Sequence, residues 1–179
     1  MRYLALLRGI NVGGNALIKM TELKVALEKD GLLNTSTYIQ SGNVFFDTDI
    51  KDEDSIISLI ESCIKKNFSL DIPVAIFSHK EWKNIINNAP EWWGKDDAWK
   101  HNLLTLIKPY DMKHVIESIG ELKPDIERLE PGDGVLYQSM SRDLFGVTTT
   151  GKLPKSPIYK RMTVRNFNTS TKLLKLFCD

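Results

Sequence analysis

An α+β fold built from two plait-like units packed together, followed by a C-terminal helical tail, is what the sequence predicts, and three observations predict it. Over residues 1–80, short β-branched and aromatic runs alternate with amphipathic stripes in the order β-α-β-β-α-β. A glycine-centred turn, Ser41-Gly42-Asn43, splits the middle pair of strands into a hairpin. Over residues 81–179 a second β-α-β-β order can be read, with Pro131-Gly132-Asp133 as its hairpin signal.

Each element follows from its residues. Arg2–Leu7 is a short apolar run that ends in the loop Arg8-Gly9-Ile10-Asn11-Val12-Gly13-Gly14-Asn15, as a strand followed by a turn should. Met20, Leu23 and Leu27 repeat at helical spacing, and Gly31 stops the helix. Ser36–Gln40 and Val44–Asp47 form the hairpin strands. Ile56, Ile60, Cys63 and Ile64 make the stripe of a second helix, capped by Asp52 or Asp54. Ile72–Phe77 is the fourth strand, placed at a sheet edge where Pro73 is tolerated. In the second half, Glu81–Asn88 reads as helix and Ala89–Lys100 as an irregular Trp-rich stretch. Asn102–Ile107 reads as strand, Asp111–Ile119 as helix, and Asp125–Glu130 with Gly134–Ser139 as a hairpin. The tail Ser156–Phe177 reads as helix, short extended link, helix.

The β-α-β-β-α-β order is that of the ferredoxin-like split βαβ plait. A right-handed crossover makes strands one and two parallel with strand three between them. The loop Arg8–Asn15 and the turn Gln40–Asn43 then fall at the same end of the sheet. The first strand is apolar on alternate positions of both faces, so both faces should be covered. That argues against an RNA-recognition surface, which needs an open sheet face bearing aromatics.

Composition narrows the function classes. With 179 residues, 42% hydrophobic and 26% charged, the chain can bury a core without metal or disulfide staples. No apolar run approaches the roughly 18 residues of a membrane span, and Tyr3–Leu7 is too short for a signal-peptide core. The two cysteines, Cys63 and Cys178, lack CxxC spacing and suit a reduced, cytoplasmic protein. Of the 24 cations, seven lie between Leu144 and Cys178 without a single acid, leaving 17 against 23 acids elsewhere. Such a tail serves either an anionic partner or an acidic surface of the same chain, with Asp47–Asp54 as the internal counterpart.

Several motifs set a chemical reading against a structural one. Gly146-Val147-Thr148-Thr149-Thr150-Gly151-Lys152-Leu153 nearly spells a phosphate loop. Leu153 lacks the magnesium-ligating hydroxyl, and Pro154 forbids the helix that should start there. The Arg8–Asn15 loop is no dinucleotide fingerprint. It offers N–H groups, the Arg8 charge and the Asn11 amide to an anion, or it is a tight strand-to-helix connection. Lys160–Thr169 is the densest polar-cationic stretch. There Asn168 or Thr169 caps the last helix, and Arg161 and Arg165 can fork onto oxyanions or remain solvated. Trp82, Trp92, Trp93 and Trp99 read as filler between domains rather than as a stacking site. His79, His101 and His114 fall at no metal-ligand spacing, and no nucleophile elbow, zinc or Cys-His signature occurs.

The combination Leu6-Leu7-Arg8-Gly9-Ile10-Asn11-Val12-Gly13-Gly14, Tyr38-Ile39-Gln40-Ser41-Gly42-Asn43-Val44, and Thr163-Val164-Arg165-Asn166 with Lys172-Leu173 resembles a bacterial family known as domain of unknown function 1697. The resemblance spans essentially the whole chain and implies two ferredoxin-like units and no activity. Phe167 stands where the resemblance leads one to expect tryptophan.

The resulting expectation is a plait at residues 1–80 and a second plait-like unit with a basic helical tail at 81–179. The functional reading is a small anionic ligand, a phosphorylated metabolite or nucleotide, held by Arg8, Asn11, Gly13, Gly14, Gln40, Ser41 and Asn43 with Arg161, Thr163, Arg165, Asn166, Asn168, Thr169 and Lys172. The alternatives are a metal-independent enzyme on such a substrate, or a nucleic-acid partner engaged by the tail. No catalytic residue, metal, cofactor or membrane partner is read from the sequence.

Overall fold

The first strand, β1 (Arg2–Leu7), lies buried on both faces: Tyr3, Ala5 and Leu7 on one, Leu4 and Leu6 on the other. The computed structural model describes residues 1–14 and 16–177. After β1 come α1 (Met20–Lys29), β2 (Leu33–Tyr38), β3 (Asn43–Asp47), α2 (Glu53–Phe68), β4 (Val74–Ser78) and α3 (His79–Asn87). The four strands form one antiparallel sheet in the order β2-β3-β1-β4. β1 and β2 both run against β3, so they run the same way, as the crossover rule requires. β4 lies at an edge, and Pro73 falls just before it.

Apolar periodicity decides what each helix buries. Leu23 and Leu27 of α1 and Ile56, Ile60, Cys63 and Ile64 of α2 meet Tyr3, Ala5, Leu7, Val44 and Phe46 of the sheet in one core. Each such buried aliphatic side chain stabilises the fold by about 1.5–3 kcal/mol. Asp52 caps α2, its Oδ2 accepting from the Ser55 N–H at 2.8 Å. On the opposite sheet face, Phe77 packs on Trp82 with ring centroids 5.2 Å apart, and Phe45 meets Phe177 edge-on at 5.1 Å. The outer strand β2 stays partly open, with Leu33, Asn34 and Ser36 exposed.

The second sheet comprises β5 (Trp99–Leu106), β6 (Glu127–Pro131), β7 (Val135–Ser141) and β8 (Met162–Asn166), again antiparallel, in the order β6-β7-β5-β8. Helix α4 (Met112–Ile119) follows β5, and α5 (Phe167–Leu176) follows β8. The two sheets share one strand order. Where the first has α2, the second has three short 3-10 turns at Phe145–Val147, Thr150–Lys155 and Pro157–Arg161. Leu104, Leu106, Val115, Ile119, Leu136, Leu153 and Met162 form the core beneath α4.

The tail departs from expectation. The segment expected as its first helix is a 3-10 turn, and the expected extended link is β8, hydrogen-bonded to β5 from Leu106↔Met162 to Asn102↔Asn166. Pro154 and Pro157 in the preceding segment favour short turns over an α-helix, because each removes an N–H donor. The chain divides into two compact units. Met1–Trp82 group with Lys175–Phe177 in one, and Lys83–Leu174 form the other. Among the described residues, no helix is long and apolar enough to cross a membrane.

Candidate functional site

The expected neighbourhood in the first unit is present. The Leu7 N–H donates to the Gly42 carbonyl at 2.8 Å, and the Asn11 amide donates to the carbonyls of Ile18 at 2.9 Å and Gln40 at 2.8 Å. Asn11 Oδ1 in turn accepts from the Ile18 N–H at 2.8 Å. Gly42 has φ +77°, and a Cβ there would lie 2.7 Å from Leu7 Cβ, so only glycine lets the turn lie on β1. Asn43 is fully buried and donates to the Tyr38 carbonyl at 2.9 Å and to Ser41 Oγ at 3.2 Å. The Asn11 amide fastens the two loops to each other, with both its hydrogens spent inside the protein, while the Asn43 amide braces the hairpin turn itself. Arg8 is half-buried, while Gly13, Gly14 and Gln40 are exposed.

In the second unit, Arg165 sits on β8 at only 6% exposure. Its Nη1 donates to Thr163 Oγ1 at 2.8 Å and the Val164 carbonyl at 2.9 Å. Burial pushes its guanidinium down to about 10, so it remains charged at neutral pH. Arg161, Asn166, Asn168 and Lys172 lie nearer the surface. The helix cap is corrected: Asn166, not Asn168 or Thr169, caps α5, its Oδ1 accepting from the Thr169 N–H at 2.8 Å. A side chain at the cap position reaches the third helical N–H, which the later residues cannot do from inside the first turn.

The phosphate-loop-like stretch holds an anion already, and it is internal. Glu127, 1% exposed, accepts from the Thr149 N–H at 2.8 Å, the Thr150 N–H at 2.8 Å, Thr150 Oγ1 at 2.7 Å and the Lys123 N–H at 3.0 Å. Burial alone would push this carboxyl up; the donated hydrogen bonds outweigh it and hold it below the usual carboxylate range. The amides of Thr149 and Thr150 are therefore committed to a side chain from β6.

A polar cleft of about 360 Å³ opens at the start of α5, between the end of β8 and the irregular Gly94–Trp99 segment. Asn166 and Asn168 line it with Lys100, His101, Asn102 and Arg142, while Asp97 supplies the one acid. Lys100 Nζ lies 4.5 Å from the centre of the Phe145 ring, and Arg142 Nε donates to the Asp97 carbonyl at 2.7 Å. Phe167, the first residue of α5, packs edge-on against Trp93 with centroids 4.8 Å apart. The indole N–H of Trp93 donates to the Asn102 carbonyl at 3.0 Å. Trp82 and Trp93 are both buried, at 0% and 4% exposure.

Both ring nitrogens of His101 have partners. Its Nε2 contacts the Asp96 carbonyl at 2.8 Å, which can only accept, so Nε2 carries the proton and Nδ1 faces Ser139 Oγ. Ser139 is 1% exposed, beyond reach of a substrate as a nucleophile. Among the described residues no three His, Cys, Asp or Glu side chains come together as a metal-ligand set. Lys100, Asn102 and Arg142 fall in no periodic or motif-like pattern of the sequence. The antiparallel Lys100↔Met140 register is what brings Lys100 near Arg142.

Fold and site thus define a class: an α+β protein of two four-stranded antiparallel sheets in the same strand order, with a polar cleft at the start of α5. The chain belongs to the family described as protein of unknown function (DUF1697), whose model matches residues 1–137. It is similar to the solved structure of the conserved bacterial protein SP0830 from Streptococcus pneumoniae. The two are 30% identical, with a TM-score of 0.88, and the match covers 99% of this chain and 98% of that one. No curated protein matches the chain.

Proposed function

We propose that this protein is a ligand-binding module on two ferredoxin-like plaits. Its second unit takes a small anion, such as a phosphorylated metabolite or nucleotide, in the cleft at the start of α5. One observation carries the reading: Lys100 and Arg142 line the same 360 Å³ cleft as the Asn166 cap and Asn168 in the first turn of α5. A helix start carries roughly half a positive charge and offers N–H groups that lack intrahelical partners. Two cations beside it outnumber the single carboxylate of Asp97 and favour an oxyanion. The Asn102 and Asn168 side chains add directional donors.

The matching strand order of the two sheets supports the double plait, and the hairpin between β2 and β3 falls where that topology needs it. The anion reading transfers the sequence-derived expectation to the part of the basic tail that shares a cleft. It leaves Asn11 and Asn43 with structural work. A thermal-shift series tests it: AMP, glucose 6-phosphate and inorganic phosphate against the neutral analogues adenosine and glucose. The anions should raise the melting temperature, and Lys100→Gln with Arg142→Gln should remove the rise. An equal rise with the neutral analogues, or a rise that survives the double substitution, rejects the site. A loss of affinity with salt steep enough to require several phosphate contacts, seen only with oligonucleotides, favours a nucleic-acid partner instead.

A further inference from the structure

A second hollow in the same unit has a different chemistry. It measures about 660 Å³, lies between α4 and the Ser156–Met162 segment, and shares no lining residue with the cleft at α5. Its floor is apolar, made by Leu106, Val115, Ile158 and Met162, and the Arg161 guanidinium stands on its wall. That volume falls in the range of small-molecule sites, about 300–1,000 Å³.

Arg161 is the informative residue. Among the described residues its guanidinium makes one hydrogen bond, a 3.5 Å contact from Nη1 to the Lys108 carbonyl, at the limit of a bond. Among the described residues no carboxylate lies within ion-pairing distance of it. A guanidinium has five N–H donors in a planar fork that matches a carboxylate. Most of that capacity is uncommitted at the edge of an apolar floor. Asp111, on the same wall, caps α4 by accepting from the N–H groups of Lys113 at 2.9 Å and His114 at 3.4 Å. Its fixed negative charge disfavours multiply charged anions.

We infer that this hollow binds a small monocarboxylate with an apolar body, the carboxylate forked on Arg161 and the body laid on Val115, Ile158 and Met162. One cation, one nearby anion and an apolar floor select a ligand with a single negative head and a hydrophobic remainder. They disfavour a phosphate or a polyanion, which sets this site apart from the cleft at α5 in ligand class as well as in position.

The full-length protein tests it, with 3-phenylpropionate as probe, 3-phenylpropan-1-ol as its uncharged counterpart, and inorganic phosphate as competitor. Methyl and amide NMR titration should move signals of Val115, Ile158 and Met162 with the acid, and the alcohol should bind about tenfold more weakly. Arg161→Gln should weaken the acid by about tenfold and leave the alcohol unchanged. Its side chain is exposed, so the unliganded melting temperature should hold. Ser118→Trp, an exposed α4 position on the rim, should block both probes. Equal binding of alcohol and acid, undiminished acid binding by Arg161→Gln, displacement of the acid by phosphate at equal concentration, or no response to the acid at millimolar concentration each overturns the inference. Because Lys100→Gln with Arg142→Gln leaves this hollow intact, failure here and failure of the α5 cleft are read separately.

Discussion

The side-chain amide of Asn11 donates to the carbonyl of Gln40 at 2.8 Å, tying the loop after β1 to the turn between β2 and β3. The same amide donates to Ile18, and its oxygen accepts from the Ile18 N–H, so one side chain closes its own loop and docks the hairpin. Asn11 has φ +55°, a conformation asparagine tolerates better than most residues. Asn11→Asp keeps that tolerance and loses both donors. It should destabilise the protein by about 2–3 kcal/mol in chemical denaturation. Asn11→Gly, which relieves the backbone but also loses the bonds, should not restore stability. A near-neutral Asn11→Asp would show that the loop stands without this tie.

Gly94 and Phe167 make a steric pair. Gly94 has φ +84°, and a Cβ there would lie 2.2 Å from Phe167 Cε2. Gly94→Ala therefore meets both a backbone and a packing penalty, together about 2–4 kcal/mol. Adding Phe167→Leu should recover the packing share and leave the backbone share, a coupling readable in a double-mutant cycle. Simple additivity would mean that the ring moves aside without cost.

Glu127 predicts an acid-dependent weakness of the second unit. Its folded carboxyl is held below its ordinary value of 4.5. Its contribution is thus fully present above about pH 4.5 and is lost as pH falls through the folded value. Glu127→Gln should cost roughly 1–3 kcal/mol at neutral pH, since one oxygen can no longer accept from Thr150. The gap between wild type and variant should narrow as pH is lowered below 4.5. A gap that stays constant from pH 7 to pH 3 would contradict the assignment.

Cys63 should be chemically silent in the folded protein. Burial, with the Asp30 carboxylate nearby, pushes its thiol up to about 12, so almost no thiolate is present at neutral pH. In a Cys178→Ser background, alkylation of Cys63 should follow the denaturant unfolding curve rather than precede it. Rapid labelling under native conditions would place the thiol outside the core.

These residues show where the sequence was legible and where it was not. The first unit reads well because its information is local. Leu23 and Leu27, then Ile56 and Ile60, repeat at helical spacing, Asp52 sits at a cap position, and Gly42 marks a turn. Even the meeting of Asn11 with Gln40 follows from connection handedness. β8 was hidden because Met162–Asn166 is short and half polar, and it becomes a strand only by pairing with β5, about sixty residues earlier. Glu127 reads as an ordinary surface acid until Thr149 and Thr150, over twenty positions away, turn their N–H groups on it. Lys100 and Arg142 carry no pattern at all; the β5–β7 register assembles them.

The proposed anion site is tested most directly by amide NMR titration of the full chain with AMP, comparing wild type with Lys100→Gln/Arg142→Gln. The account predicts saturable shifts concentrated at Phe167, Asn168, Thr169 and the Asn102 side chain, lost in the double variant while its melting temperature is retained. Shifts centred instead on Gly13 and Gly14, or undiminished shifts at α5 in the double variant, would contradict it.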